Sequence, residues 1–274
     1  MNSLLQQFYM MQPLRTALLH VHESQLYGAA LEDNVLYQLQ HLFVQLQETE
    51  KMAADPTNFC KSYKDLDGRP TNVREQHDVD EFFNLLCQRL EAQLKHTAAP
   101  KLLNHQLGGT LANEIKSTDQ ALPYYSEREE EFFSIPLDIK NKPSLEEALD
   151  SWVKSDKLEG DNAYYCEQYG RKVNALKRCC IKQLSNTLIF HLKRFDYDYI
   201  NNRKVKLNDY FQFPLSLNMK HWTKEGLARH EGSVSEEMSV DDAHYQYHLV
   251  GVLVHTGSAD SGHYYSFIKV RDTH

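Results

Sequence analysis

Val252-Leu253-Val254-His255-Thr256-Gly257, then Ser258-Ala259-Asp260, then Ser261-Gly262-His263-Tyr264-Tyr265-Ser266-Phe267-Ile268 is the stretch whose reading decides the fold. An apolar run ends in a glycine-punctuated loop, and a histidine opens the next alternating run, which is the pattern of a β-hairpin. Such a hairpin holds an imidazole at its mouth, fixed by strand backbone and open to a ligand. Histidine carries protons near neutral pH, so His263 is a candidate general base. The competing reading is a strand histidine that only packs. His255 flanks the same loop, and its spacing from His263 does not match the usual local zinc patterns.

Upstream of this hairpin the second half of the chain reads as strands. Residues 132–139 (Phe-Phe-Ser-Ile-Pro-Leu-Asp-Ile) and 187–195 (Thr-Leu-Ile-Phe-His-Leu-Lys-Arg-Phe) alternate with period two, as do 247–255 and 262–270. A short helix is predicted over 144–154, capped by Ser144 with Glu147 three residues on. Residues 220–246 are polar and aperiodic and read as a surface loop or insertion. The first half reads as helices. Leu4, Leu5, Phe8, Leu14, Leu18 and Leu19 fall at helical spacing over 2–20, with Pro13 as a break point. A second helix spans 33–48 behind Asp33 or Asn34 as cap, and a third spans 76–95 on Val79, Phe82, Phe83, Leu86 and Leu90. Helices followed by strands indicate α+β rather than βαβ organisation.

Composition narrows the function classes. The 274 residues are 41% hydrophobic and 25% charged, with a net charge of −8. That suffices for a sizeable core in one large domain or two small ones. An acidic balance argues against a nucleic-acid partner, which selects basic surfaces. No apolar run approaches membrane-spanning length, so no membrane partner is expected, and the N-terminus lacks the pattern of a signal peptide. Five cysteines, an odd number with two adjacent, point to a reducing compartment. The expected location is the cytoplasm, with the nucleus as the alternative.

Two further constellations carry chemistry. In Gln76-His77-Asp78-Val79-Asp80-Glu81-Phe82, Asp78 and Glu81 stand three apart near a helix N-terminus, where the dipole favours carboxylates. They form either a solvated acidic face or a dock for a cationic peptide. The cysteines, by contrast, read as small buried or half-buried thiols. Cys87 sits at apolar helical spacing, Cys166 has no C-x-x-C partner, and Cys179-Cys180 are too close to chelate normally. Cys60, followed by Lys61, carries only a weak signal of reactivity.

Taken in order, these segments resemble the catalytic domain of ubiquitin-specific proteases, the papain-like cysteine deubiquitinases. Met1-Asn2-Ser3-Leu4-Leu5-Gln6-Gln7-Phe8-Tyr9-Met10 is similar to the continuation of the family's cysteine box, and Gln76 to Phe82 to its glutamine box. Residues 192–198 (Leu-Lys-Arg-Phe-Asp-Tyr-Asp) and 208–214 (Asn-Asp-Tyr-Phe-Gln-Phe-Pro) are similar to its palm segments. Tyr247 to Val252 through Gly262-His263-Tyr264-Tyr265 is similar to its histidine box. Asn162-Ala163-Tyr164-Tyr165-Cys166-Glu167 draws the resemblance toward the very large fat-facets-type members. The resemblance implies a papain-like α+β fold with a helical thumb (1–104), β fingers (mainly 105–187) and a β-rich palm (mainly 188–274). It implies ubiquitin and ubiquitinated proteins as partners and no cofactor. His263 becomes the base that activates a cysteine thiolate. Gln76, Asp78, Glu81, Phe195, His255 and Tyr264 become ubiquitin-binding positions, the two acids facing ubiquitin's arginine-containing tail and the last three lining its channel.

The chain also departs from the pattern. The family's nucleophilic cysteine belongs two residues ahead of Met1, at the start of the first helix, with the oxyanion-hole asparagine further upstream. The third triad member is expected beyond His274, since Asp272 is too near His263. The 274 residues alone are therefore expected to be inactive. They read either as a piece of an active enzyme or as a ubiquitin-binding pseudoprotease or scaffold. The family's fingers hold a zinc between two cysteine pairs. Here Asp119-Gln120-Ala121-Leu122-Pro123-Tyr124 has no cysteine and Tyr169 stands where a fourth would be. A fingers region without metal, held by packing, is expected.

Overall fold

The structure, a computed structural model, describes residues 1–26, 30–64, 68–69, 78–231 and 242–270. The chain divides into two compact units, Met1–Gln106 with Val250–His274, and Leu107–Leu249. Among the described residues no helix is long and apolar enough to cross a membrane.

Helices dominate the first unit. The helix expected over 2–20 is two, α1 (Asn2–Met10) and α2 (Gln12–Leu19). Met11 leaves the helical region at φ −77°, ψ 85°, and Pro13 falls in the first turn of α2, where its missing N–H is no loss. α3 (Val35–Glu48) starts where the sequence indicated, with Asn34 Oδ1 accepting from the Tyr37 N–H at 2.9 Å. α4 (Thr57–Ser62) is short, and α5 (Val79–Leu94) buries Phe82, Phe83, Leu86, Cys87, Leu90 and Leu94 along one stripe. α6 (Leu102–Leu107) follows. The stripes meet through aromatic edges. Phe8 lies edge-on to Phe83 with centroids 6.0 Å apart, and Tyr63 to Phe82 at 5.0 Å. One buried polar group fits this core without loss: Gln40 Nε2 donates at 2.7 Å to the carbonyls of both Leu18 and Val21, satisfying the end of α2.

The second unit is built on strands. In chain order these are β1 (Gly109–Ser117), β2 (Tyr125–Phe132), β3 (Ile135–Leu137), β4 (Asp156–Leu158), β5 (Tyr164–Cys166), β6 (Arg171–Val173), β7 (Ala175–Gln183), β8 (Phe190–Leu192), β9 (Phe195–Asp198), β10 (Arg203–Lys206), β11 (Ser216–Asn218) and β12 (Gln246–His248). α7 (Leu145–Trp152) lies between β3 and β4 and is capped as predicted, Ser144 Oγ accepting from Glu147 N–H. The main sheet runs β2-β1-β7-β4, all antiparallel. Its core gathers Ala112, Leu137, Leu149, Ile181, Met219 and Trp222. Glu114 in β1 is buried and takes Nε and Nη2 of Arg178 from β7 at 3.0 and 2.7 Å. Both bonds fall on Oε2, while Oε1 accepts the Tyr125 hydroxyl at 2.8 Å, so each oxygen of the buried carboxylate is satisfied.

Three expectations change here. The strand at 132–139 is only Ile135–Leu137, with Phe132 closing β2. β2 itself escaped notice because its Glu-rich run hides the alternation. Residues 187–195 supply two short strands, β8 and the start of β9, rather than one. Residues 220–246 are not simply a loop. They contain α8 (Lys224–His230), capped by Thr223 Oγ1 on Gly226 N–H and braced by Arg229 on Glu225 at 2.6 Å. The glycine that obscured this helix permits it. A Cβ on Gly226 would meet the Lys220 carbonyl at 1.9 Å. Residues 232–241 of that stretch lie outside the described residues.

The chain then returns to the first unit for the closing hairpin, β13 (Gly251–Gly257) and β14 (Gly262–Ile268). Its antiparallel register pairs Gly257 with Gly262, Thr256 with His263 and His255 with Tyr264. Gly257 has φ +112°, which a side chain would resist. Helices beside antiparallel sheets make the fold α+β, as the sequence indicated.

Candidate functional site

His263 is the second residue of β14 and is exposed. Strand alternation turns Tyr264 to the opposite face, where it is half-buried. Tyr264 ties together several elements of the first unit. Its ring lies 4.8 Å from the His255 imidazole at a tilt of 57°. Its hydroxyl lies within reach of the Asp78 charge at the start of α5. Its carbonyl accepts Ser3 Oγ at 2.8 Å, from the first turn of α1. Burial, and then the Asp78 charge, push the Tyr264 phenol up to about 12, so it keeps its proton throughout the neutral range.

Gly262 makes room for this arrangement. A Cβ there would stand 2.0 Å from the Thr256 carbonyl and 2.5 Å from His255 Nε2. The imidazole of His255 therefore lies against bare backbone. At α5, Asp78 is the cap: its Oδ1 accepts Asp80 N–H at 2.7 Å. Glu81 is exposed in the same first turn. The structure thus brings His255, Tyr264 and Asp78 together, with His263 on the neighbouring strand position. Phe195 lies half-buried on β9 in the second unit. Gln76 falls outside the described residues.

Nothing in the sequence reading singled out Ser3 or Gln7. Gln7 is buried on the apolar face of α1, and its Nε2 donates to the Phe267 carbonyl at 3.1 Å. The available signal was a pair of polar residues, 3 and 7, at helical spacing amid Leu4, Leu5 and Phe8.

The arrangement suits proton transfer from a thiol to an imidazole, which leaves an anionic nucleophile. An exposed imidazole stands next to a residue hydrogen-bonded to a helix start, and helix starts stabilise thiolates. The five thiols themselves are poorly suited to be that nucleophile. Burial pushes Cys87 and Cys180 up to about 12 and Cys179 up to about 11. Cys166 is fully buried. Cys60, in α4, is also pushed up by burial, and its Sγ lies 3.5 Å from Met1 Sδ.

The donor set at the implied zinc position does not fit that metal. Cys166 supplies a single thiol. Around it the second unit uses phenols: Tyr124 and Tyr164 stack at 5.5 Å with hydroxyls 3.2 Å apart, and the Tyr169 hydroxyl donates to the Pro123 carbonyl at 2.8 Å. One thiolate with phenols and a carbonyl is not a structural zinc set. Among the described residues no group of three or more His, Cys, Asp or Glu could hold a metal ion.

Comparison with known proteins agrees with this geometry. The family model described as ubiquitin carboxyl-terminal hydrolase matches residues 1–274. The chain is 41% identical over 249 residues to ubiquitin carboxyl-terminal hydrolase 9X of Mus musculus, covering 87% of this chain and 10% of that protein. It is 38% identical over 285 residues to hydrolase 24 of Homo sapiens, covering 99% of this chain and 11% of that protein. It is 34% identical over 318 residues to the probable ubiquitin carboxyl-terminal hydrolase FAF of Drosophila melanogaster, covering 98% and 11%. The chain therefore spans about a tenth of the length of these relatives. Among solved structures it is similar to the SAGA Ubp8/Sgf11/Sus1/Sgf73 DUB module bound to ubiquitin aldehyde, with a TM-score of 0.78 and 22% identity over 99% of this chain and 60% of that one. The fold is thus that of the papain-like deubiquitinase domain, and the chain belongs to the ubiquitin carboxyl-terminal hydrolase family of cysteine-type deubiquitinases.

Proposed function

We propose that the protein hydrolyses peptide and isopeptide bonds after the C-terminal glycine of ubiquitin, by thiol chemistry. The observation that carries this reading is the pinning of the α1 start to β14, one residue from His263. Family membership and the names of the relatives support it. His263 takes the proton of a thiol at the N-terminal end of α1, and the resulting thiolate attacks the glycine carbonyl. His263 returns that proton to the leaving amine. Water, activated by the same imidazole, then releases ubiquitin's carboxylate and the thiol from the acyl-enzyme.

In this reading Asp78 and Glu81, in the first turn of α5, face ubiquitin's basic tail, and His255 and Tyr264 line its path. In this reading the attacking thiol is none of the five present, which burial raises or encloses. Five free cysteines support a reducing compartment, the cytoplasm.

The test uses the full gene product and a fluorogenic ubiquitin C-terminal amide. Hydrolysis is expected, and His263→Ala should lower kcat by about 10²–10⁴-fold. Two results would sink the reading: no labelling of the full gene product by an electrophilic ubiquitin probe, or hydrolysis that survives His263→Ala.

A further inference from the structure

We infer that Ser3 and Gln7 are positioning residues for the reaction, an inference that rests on the function proposed above. They stitch α1 to β14 at two points and so set where the N-terminal end of α1 stands relative to His263. Ser3 Oγ donates to the Tyr264 carbonyl at 2.8 Å, and Gln7 Nε2 to the Phe267 carbonyl at 3.1 Å.

The geometry needs these two side chains in this order. Four helical residues advance about 6 Å, whereas three strand residues advance about 10 Å. A short side chain at position 3 and a longer one at position 7 absorb the difference. One attachment would leave the helix free to pivot, and two fix its direction.

Gly251 completes the fit. A Cβ there would fall 2.0 Å from Gln7 Oε1, so the amide lies flat on the β13 backbone while it bonds to β14. Gln7 is 7% exposed and flanked by Leu4, Leu5 and Phe8. An apolar side chain would bury there without a polar desolvation cost, so the amide's value lies in its directed bond. Misplacing a reacting group by about 1 Å costs on the order of 10²-fold in rate.

The experiment compares wild type, Ser3→Ala, Ser3→Thr, Gln7→Met and Gly251→Ala in the full gene product, with the ubiquitin amide as substrate. Ser3→Ala, Gln7→Met and Gly251→Ala are expected to lose about 10- to 100-fold in kcat, with KM within about twofold of wild type. Ser3→Thr, which keeps the hydroxyl, should restore kcat. A kcat within about twofold of wild type in both Ser3→Ala and Gln7→Met would overturn the inference, as would a loss carried by KM alone. So would a loss that only tracks the fraction unfolded by circular dichroism.

If wild type itself does not hydrolyse the substrate, the proposed function fails. The stitch is then decided by hydrogen exchange. Amides of residues 4–7 should exchange about tenfold faster in Ser3→Ala and Gln7→Met than in wild type. Unchanged exchange would overturn it.

Discussion

Replacing Gly262 by alanine tests the packing on which the mouth of the hairpin depends. The added methyl would sit 2.0 Å from the Thr256 carbonyl oxygen, 2.5 Å from His255 Nε2 and 2.8 Å from His255 Cε1. An ordinary carbon–oxygen contact is about 3.3 Å or more, so the first approach is short by more than 1 Å. The imidazole can rotate away, but the carbonyl belongs to β13 and is held by the ladder to β14. The strands must therefore part at the Thr256–His263 pair, carrying the His263 backbone with them. Overpacking of this kind costs about 1–3 kcal/mol, and a backbone partner places it at the upper end. For a chain of this size that lowers the melting midpoint by about 5–10 °C.

The assay is thermal unfolding followed by circular dichroism, alongside turnover of the ubiquitin amide below the transition. Gly160→Ala is the control. Its φ is +59° and nothing lies within 4 Å, so it carries only the left-handed backbone penalty of about 1–2 kcal/mol. Should Gly262→Ala melt with wild type and turn over unchanged, the close packing of His255 and Thr256 on residue 262 does not hold the site.

The second unit offers three more tests. Arg178→Met removes both bonds to Oε2 of the buried Glu114 carboxylate and leaves it the Tyr125 hydroxyl and the Lys224 ammonium; it should cost about 1.5–3 kcal/mol in denaturant unfolding, where an exposed ion pair would cost about 1 or less. The ammonium groups of Lys182, then Lys224, with the Tyr125 hydroxyl, hold Glu127 down to about 2. Because the folded value lies below the unfolded one, the stability it contributes is complete above about pH 4.5. It fades as the pH falls toward 2. Lys182→Met should flatten that part of the stability–pH curve, and an unaltered slope would refute the linkage. Metal analysis of tag-free protein should find no stoichiometric zinc, and a chelator should leave the midpoint in place. Tyr169→Phe, which removes the bond to Pro123, should cost about 1 kcal/mol. Stoichiometric zinc would overturn this account.

Local signals in the chain carried far because they act within a few residues. Asn34 and Ser144 each cap the helix that follows them, and the apolar spacing of 79–94 marks the buried stripe of α5. The alternation of 262–268 marks β14. Where local signals conflicted, the reading failed. A polar, aperiodic run hid α8, whose Gly226 lies against the Lys220 carbonyl, a contact outside its own helix. β2 was hidden by Glu127, Glu129, Glu130 and Glu131. The cations that make Glu127 and Glu129 comfortable, Lys182 and Lys224, stand 53 to 97 residues away in sequence.

The α+β class and the histidine at the mouth of a hairpin are written in spacing and residue type, and the ordered motifs carry the resemblance to the family. Only the tertiary structure decided what surrounds that histidine. The Tyr264 carbonyl meets Ser3 across 261 residues. Gln7 reaches Phe267 across 260 residues. Such contacts depend on which backbones the fold brings within about 3 Å, and no period along the chain records that.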